Sequence, residues 1–419
     1  MAAAQSAPRR PARLGALDAL RFVAAAAVVA FHFTARESPA WEGPAPHAFD
    51  AIGPYTAYGR LGVALFFVIS GFVILMSSWG RDVPHFVASR VGRLYPAYWV
   101  AVAVSAVVVY LWPQNPAFFG HAVTKSDAVL NLTMIQTAFG APDLDGVYWT
   151  LWYEARFYLL IAVLVLIGLT RARVLAFATL WPVAGALAAG SGSKLLTTLL
   201  MPDYAAFFAG GMLLYLLYRE GHDWGIWMLV ALQAAIALRF SLQMYGPSLA
   251  GTTNFPPSAL KIALVTFLCF ALVAVATLSP VARWNARWMT TAGSLTYPLY
   301  LIHENVGWFV IHRTKGLLGP WGAVLAASVV ALVGATLLYR LVEKPFGRRL
   351  RQMTLAMLRP VERRPEVPAP ALPPRHETTV RPPRVPVQSR EHTGPITAAV
   401  PVSRRPEIAT SGGGAHRGY

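Results

Sequence analysis

Leu17-Asp18-Ala19-Leu20-Arg21 and, after ten intervening residues, His32-Phe33 set the reading of the whole chain. From Leu14 to Phe33 the residues are mostly Ala, Val, Leu and Phe. Such a run has about the twenty residues that a helix needs to cross a bilayer. Arg21 and His32 are eleven positions apart. On a helix that is about three turns plus 20°, so both face the same way, roughly 16 Å apart along the axis. Ionisable side chains at membrane depth cost several kcal/mol unless they face a cavity or a partner. Two readings follow. Either this helix walls an internal site, or Arg21 pairs with Asp18 one turn earlier and His32 sits at the outer interface.

Composition places the rest of the chain in the same class. Of 419 residues 56% are hydrophobic and only 13% charged, against about 25% charged in soluble domains. The net charge of +17 lies beside apolar spans and in the C-terminal tail, which points to topology and anionic lipid rather than nucleic acid. A single cysteine, Cys269, permits neither an intrachain disulfide nor a cysteine metal cluster, and no ligand set calls for a metal. The basic start (Arg9, Arg10, Arg13) leads into a span too long for a signal-peptide core, with no clear cleavage site after it.

Apolar runs predict an all-α integral membrane fold of about ten helices, at 14–34, 59–79, 95–112, 148–169, 172–190, 203–219, 224–243, 258–278, 295–312 and 320–342. With the N-terminus in the cytosol, the inner loops carry Arg81, Arg90 and Arg93, then Arg171 and Arg173, Arg219, and Arg283 with Arg287. The last span ends in Lys344, Arg348, Arg349 and Arg351. This agrees with the positive-inside rule and puts both termini in the cytosol. The expected domains are a cytosolic segment 1–13, a transmembrane domain 14–347, and a basic Pro- and Arg-rich disordered tail 348–419. Two long outer loops, about 34–59 and 113–147, read either as an acceptor-side lid or as disorder.

Four further constellations carry possible chemistry. Arg90-Val91-Gly92-Arg93 sets two guanidinium forks on one helical face, suited to phosphate or to ordinary anchoring at the inner interface. In Tyr148-Trp149-Thr150-Leu151-Trp152-Tyr153-Glu154, Glu154 lies at a depth similar to that of His32. A carboxylate there orients an imidazole or pairs with a base such as Arg156. Phe66-Phe67-Val68-Ile69-Ser70-Gly71-Phe72 reads as close helix packing, with no nucleophile elbow around Ser70. Tyr297-Pro298-Leu299-Tyr300-Leu301-Ile302-His303-Glu304-Asn305 gathers several polar groups on one span, as a cavity lining or as a locally bonded set.

In this order, Arg-x10-His, Phe-Phe-x-x-Ser-Gly-Phe, Arg-x-x-Arg, Trp-Thr-Leu-x-x-Glu-x-x-Phe-Tyr, Tyr-x-x-Tyr-Leu-x-His and the closing Glu343-Lys344-Pro345 resemble the membrane-bound acyltransferase 3 family over roughly 14–347. The resemblance implies transfer of an acyl group, by default acetyl, from coenzyme A to a hydroxyl of a glycan, glycolipid or antibiotic sugar. It implies a multi-pass protein of a bacterial plasma membrane, without the hydrolase-like domain that some members append. Acyl-CoA is then the co-substrate, with Arg90 and Arg93 holding its phosphates and Arg21 receiving part of its polar arm. His32 acts as general base, Glu154 orients it, and Tyr300 and His303 contact substrate. An acyl-histidine intermediate is the rival mechanism. Intramembrane charge by itself also suits a transporter or flippase of a glycan, lipid-linked sugar or drug, although no internal repeat is evident. A receptor with a partner-recruiting tail leaves the Arg-x10-His and Arg-x-x-Arg pairings without a purpose.

Overall fold

The computed structural model of the protein describes residues 14–112 and 124–359. Numbering the long helices in chain order, these are α1 (Gly15–Thr34), α2 (Gly62–Ser78), α3 (Val83–Leu111), α4 (Trp149–Leu166), α5 (Arg171–Ala189), α6 (Pro202–Glu220), α7 (Trp224–Ala250), α8 (Ala259–Leu278), α9 (Arg287–Leu337) and α10 (Lys344–Leu358). Among the described residues the only β-like pairings are two isolated bridges, Arg36 with Thr253 and Ser38 with Gly43. Nine helical runs there are long and apolar enough to cross a membrane. Several begin where a side chain caps the orphan amides of the first turn: Asp82 for α3, Thr170 for α5, Asp223 for α7 and Ser258 for α8.

The last run, Arg287–Leu358, is 72 residues long, and it is not one straight rod. Gly319, at φ 67° and ψ 177°, interrupts α9 ahead of Pro320. A Cβ on Gly334 would come 2.8 Å from Ile302 Cδ1, whereas a continuous helix would hold these positions about 48 Å apart. The arms 287–318 and 320–337 therefore fold back on each other, and they correspond to the apolar runs expected at 295–312 and 320–342. Leu338–Glu343 then forms a π-helical turn leading into α10.

Helix α6 is the centre of the bundle. Nearly every residue from Pro202 to Leu217 is buried, as befits a helix that is apolar all round. It crosses α2 at two glycines. A Cβ on Gly71 would fall on the Phe208 carbonyl, and one on Gly211 would fall on the Val68 carbonyl, the close approach that small residues permit between membrane helices. The perimeter keeps large apolar side chains exposed, among them Leu159, Leu187, Met228, Leu260 and Leu325. A surface of that kind belongs against lipid.

Two expectations need correction. The third span does not start at 95: α3 begins at Val83, behind its Asp82 cap and with Pro84 in its first turn, so Arg90 and Arg93 lie inside the helix rather than in a loop before it. Nor does a disordered tail start at 348. Helix α10 runs on to Leu358, because it lies against α3 at a glycine pair. A Cβ on Gly92 would come 2.6 Å from the Gly347 carbonyl, and one on Gly347 would come 2.7 Å from that of Gly92. The basic start 1–13, the first part of the second outer loop and the chain beyond 359 lie outside the described residues.

The two long loops, expected on the outer side, are folded where described. Residues 35–43 are held by Glu37 N–H to the Thr252 carbonyl (2.8 Å), by Lys315 Nζ to the Ala40 carbonyl (3.0 Å) and by a Lys315–Glu42 pair at 3.0 Å. In the second loop a capping box at Thr124 and Asp127 starts a short helix. Asn131 ties that helix to the Pro142 carbonyl at 2.8 Å and to the Leu144 amide at 2.9 Å.

Candidate active site

Helix α1 reaches the site because the first arm of α9 offers it two glycines on one side. A Cβ on Gly293 would meet Asp18 at 2.6 Å, and one on Gly307 would overlap the Phe33 ring. This contact brings the polar segment of α9 against His32. The His32 Nδ1 to His303 Nε2 distance is 2.8 Å, and His303 Nδ1 lies 2.9 Å from the Tyr300 carbonyl. A carbonyl only accepts, so the network assigns a proton to His303 Nδ1. In a neutral His303 the Nε2 then accepts, and His32 donates from Nδ1. The nitrogen of His32 left with a lone pair is Nε2. Trp308 Nε1–H donates to the His32 carbonyl at 3.0 Å and fixes the end of α1.

The carboxylate beside His32 is Glu304, not Glu154. Glu304 Oε2 lies 4.0 Å from His32 Nε2, and its Oε1 accepts from Arg36 at 2.7 Å. Glu304 is fully buried and fits only because residue 146 is glycine: a Cβ there would come 2.7 Å from Glu304 Oε1. Below it, Asp145 accepts from the Asn305 amide (3.3 Å) and from Ser105 Oγ (3.3 Å). Burial, reinforced by the charge of Glu304, holds the Asp145 carboxyl well above the usual carboxylate range.

Two adjoining cavities meet here. The outer one, about 180 Å³, is lined by His32, Arg36, Arg60, Trp149, Val63 and Tyr300, among others. The inner one, about 60 Å³, is lined by Arg21, Ser70, Glu154, Tyr297, Val63 and Tyr300, among others. Val63 and Tyr300 belong to both walls. Arg21 and His32 thus open onto one side of α1, as their spacing requires, but onto separate chambers. The Tyr300 hydroxyl, 2.9 Å from Thr150 Oγ1, stands at the partition. His303 is buried behind His32, where its polar contacts are to His32 and to backbone rather than to cavity space.

Glu154 belongs to the inner chamber. It accepts from Tyr158 Oη, and from Ser70 Oγ at 3.5 Å. Arg21 feels the charges of both Glu154 and Arg93. The Arg90 guanidinium lies 5.9 Å from the centres of the Phe86 and Tyr158 rings. Glu343, at the end of the π-helical turn, feels Arg93 and Arg21. The structure therefore puts Arg21 and Glu154 on one chamber, with Arg90 beside the Tyr158 that bonds Glu154, and His32, backed by His303, on the other, with Tyr300 in both walls. Arg36 and Arg60 were not among the expected site residues: Arg36 falls in a loop and Arg60 is the second residue of the span expected at 59–79, and neither position tells which side chains it meets across the bundle. Among the described residues no three His, Cys, Asp or Glu side chains converge as metal ligands.

A family model described as an acyltransferase domain matches residues 14–340. The chain belongs to the acyltransferase 3 family. Two relatives show partial likeness to this acyltransferase 3 chain. Acyltransferase MdmB of Streptomyces mycarofaciens is 29% identical over 157 residues, 36% of this chain and 39% of the relative. The exopolysaccharide production protein ExoZ of Rhizobium meliloti (strain 1021) is 32% identical over 120 residues, 28% of this chain and 37% of the relative. The chain thus aligns with less than two-fifths of the length of each. No solved structure matches this family member.

Proposed function

We propose that the protein is an integral-membrane O-acyltransferase. In this reading it moves an acyl group, acetyl by default, from cytosolic acyl-CoA to a hydroxyl of a glycan, glycolipid or antibiotic sugar. The observation that carries the reading is the tautomer lock: His303 leaves the Nε2 lone pair of His32 in a cavity that adjoins a chamber lined by arginine. The family membership and the acyltransferase of Streptomyces mycarofaciens support the same class of reaction, and the exopolysaccharide production protein of Rhizobium meliloti supports a glycan acceptor. The chain crosses the membrane ten times, with both termini cytosolic, in a bacterial plasma membrane.

Coenzyme A approaches the inner side, where Arg90, Arg93 and Arg21 receive its phosphates and polar arm. Guanidinium forks suit that anionic end. The uncharged pantetheine passes Tyr300 and Val63 and presents the thioester carbonyl to the outer cavity. Glu154 holds Arg21 in place rather than orienting His32. On the outer side lies an open cleft of about 480 Å³ lined by Arg36, Glu37, Glu42, Trp112 and His312, among others. Arg36 lines both this cleft and the His32 cavity, so an acceptor seated in the cleft has its hydroxyl near His32. His32 Nε2 takes the hydroxyl proton as the oxygen attacks the thioester carbon. Glu304, 4.0 Å from Nε2, stabilises the imidazolium that forms. The C–S bond then breaks and the imidazolium returns its proton to the thiolate.

The test is acetyl-CoA binding and thioester consumption by the purified, detergent-solubilised protein. His32→Ala is expected to keep its fold and its acetyl-CoA affinity and to lose about 10²- to 10⁴-fold in turnover. The double variant Arg90→Ala/Arg93→Ala is expected to lose saturable binding. Normal turnover by His32→Ala sinks the assignment of the base. If folded wild type binds no acyl-CoA of any length, transport becomes the better account.

A further inference from the structure

We propose that Arg60 is a catalytic residue, the group that stabilises the oxyanion formed when the thioester is attacked. The inference rests on the acyl-transfer reading above and adds the electrophilic half of the site. A base alone accounts for the proton. When the acceptor oxygen bonds to the thioester carbon, the carbonyl π electrons move onto its oxygen, and that charge needs a donor fixed in advance. The C–S electrons later leave with sulfur, the carbonyl re-forms, and the proton held on His32 goes to the thiolate.

Of the two guanidiniums that line the His32 cavity, Arg36 is engaged with the buried Glu304 at 2.7 Å. Arg60 is different. Among the described residues it has no ion-pair partner, and its buried Nε has no hydrogen-bond partner. Its guanidinium lies 5.9 Å from the centre of the Phe31 ring, beside the residue that precedes His32. The remaining walls include Val28, Val63, Val147 and Trp149, and such apolar surroundings strengthen a charge–charge interaction relative to water. A buried donor left open costs stability, so its retention in a cavity calls for an anion that is not always present.

The local sequence is built to bring Arg60 there. It sits in the 3₁₀ turn Ala57–Leu61 between Gly59 and Gly62. A Cβ on Gly59 would fall on the Ala27 carbonyl, and one on Gly62 would come 2.7 Å from that of Ala24. Both glycines let the turn lie against the backbone of α1 a short way below His32. The Arg60 side chain then reaches the same cavity as the base. Arg36 is paired with Glu304 beside it, and Arg60, whose charge also acts on Glu304, lines the same cavity as a second cation.

The experiment measures release of free coenzyme A thiol from acetyl-CoA, with a mixture of methyl glycosides as acceptors, together with acetyl-CoA affinity. Background is low because the only cysteine, Cys269, is buried. Arg60→Met is expected to lose at least about 100-fold in kcat with acetyl-CoA Kd and melting temperature near wild type. Arg60→Lys is expected to fall between the two. Arg60→Ala, which opens space beside the cavity, is expected to regain activity with added guanidinium ion, a rescue that a packing role would not show. If Arg60→Met fails to fold, the Lys variant and the guanidinium rescue carry the test. Wild-type kcat in Arg60→Met, or a raised Kd at unchanged kcat, overturns the proposal. A wild type that binds acetyl-CoA yet releases no thiol overturns it as well. A wild type that does not bind acetyl-CoA removes the donor reading underneath it.

Discussion

A neutral imidazole is a base only through the nitrogen that lacks the proton, and in this protein a main-chain carbonyl selects which one. The Tyr300 carbonyl fixes His303, and His303 fixes His32. His303 is a positioning residue in this scheme, acting through His32 and not on the substrate. The prediction at this scale separates that role from packing. His303→Gln places an amide oxygen near the old Nε2 position and is expected to keep turnover within about tenfold of wild type. His303→Ala removes the acceptor and is expected to lose about 10²-fold. Acetyl-CoA affinity should stay unchanged in both, as binding and single-turnover measurements would show. Equal loss in the two variants would mean that His303 only fills space. His32 was legible from its spacing to Arg21 and from the cost of ionisable groups in a membrane. Its partner was not. Glu154 and Glu304 both lie on apolar spans with aromatic neighbours, and depth along a helix does not say which one faces His32 across the bundle.

Among the elements, the α2–α6 crossing carries the most weight for the site. Val63 and Ser70 on α2 line the cavities, and their position depends on Gly71 and Gly211, where backbone meets backbone. Replacing either glycine with leucine is expected to lower stability by more than about 3 kcal/mol, since overpacking costs add to forced backbone separation. Ser70→Ala, one residue away with only a 3.5 Å bond to Glu154, should change stability by less than about 1 kcal/mol. Thermal unfolding in detergent, followed by size-exclusion recovery, would compare them. Similar melting of Gly71→Leu and wild type would refute the crossing. The sequence already marked Ser70-Gly71 as a packing pair, because a small residue in mid-membrane has that use. Its counterpart Gly210-Gly211 on α6 became meaningful only once the two helices were brought together.

For the molecule as a whole, the alternation of basic inner and sparsely charged outer loops predicts an even number of crossings with both ends inside. The fold-back at Gly319 is the feature on which that parity depends. In a Cys269→Ser background, single cysteines introduced as Ser6→Cys and Ser389→Cys are expected to resist a membrane-impermeant maleimide in intact cells. Asp50→Cys, on the exposed outer loop, is expected to react. Labelling of only one terminus would show an odd number of crossings and reverse the orientation of one half of the bundle.

The sequence by itself determined what the bilayer demands. It gave the class of fold and the approximate limits of most spans. It also marked the few polar residues that lipid would not tolerate without a purpose. Those conclusions depend on length, hydropathy and helical period, which are properties of one segment at a time. Only the tertiary structure decided the rest. It placed His303 and Glu304 beside His32 and moved Glu154 to the inner chamber. It kept Arg90 and Arg93 inside a longer helix, and brought in Arg36 from the segment after α1 and Arg60 from the turn ahead of α2. These are matters of rotation and approach between helices. They are set by glycines at 59, 62, 71, 146, 211, 293 and 307, whose missing side chains have meaning only against the atoms that occupy the space.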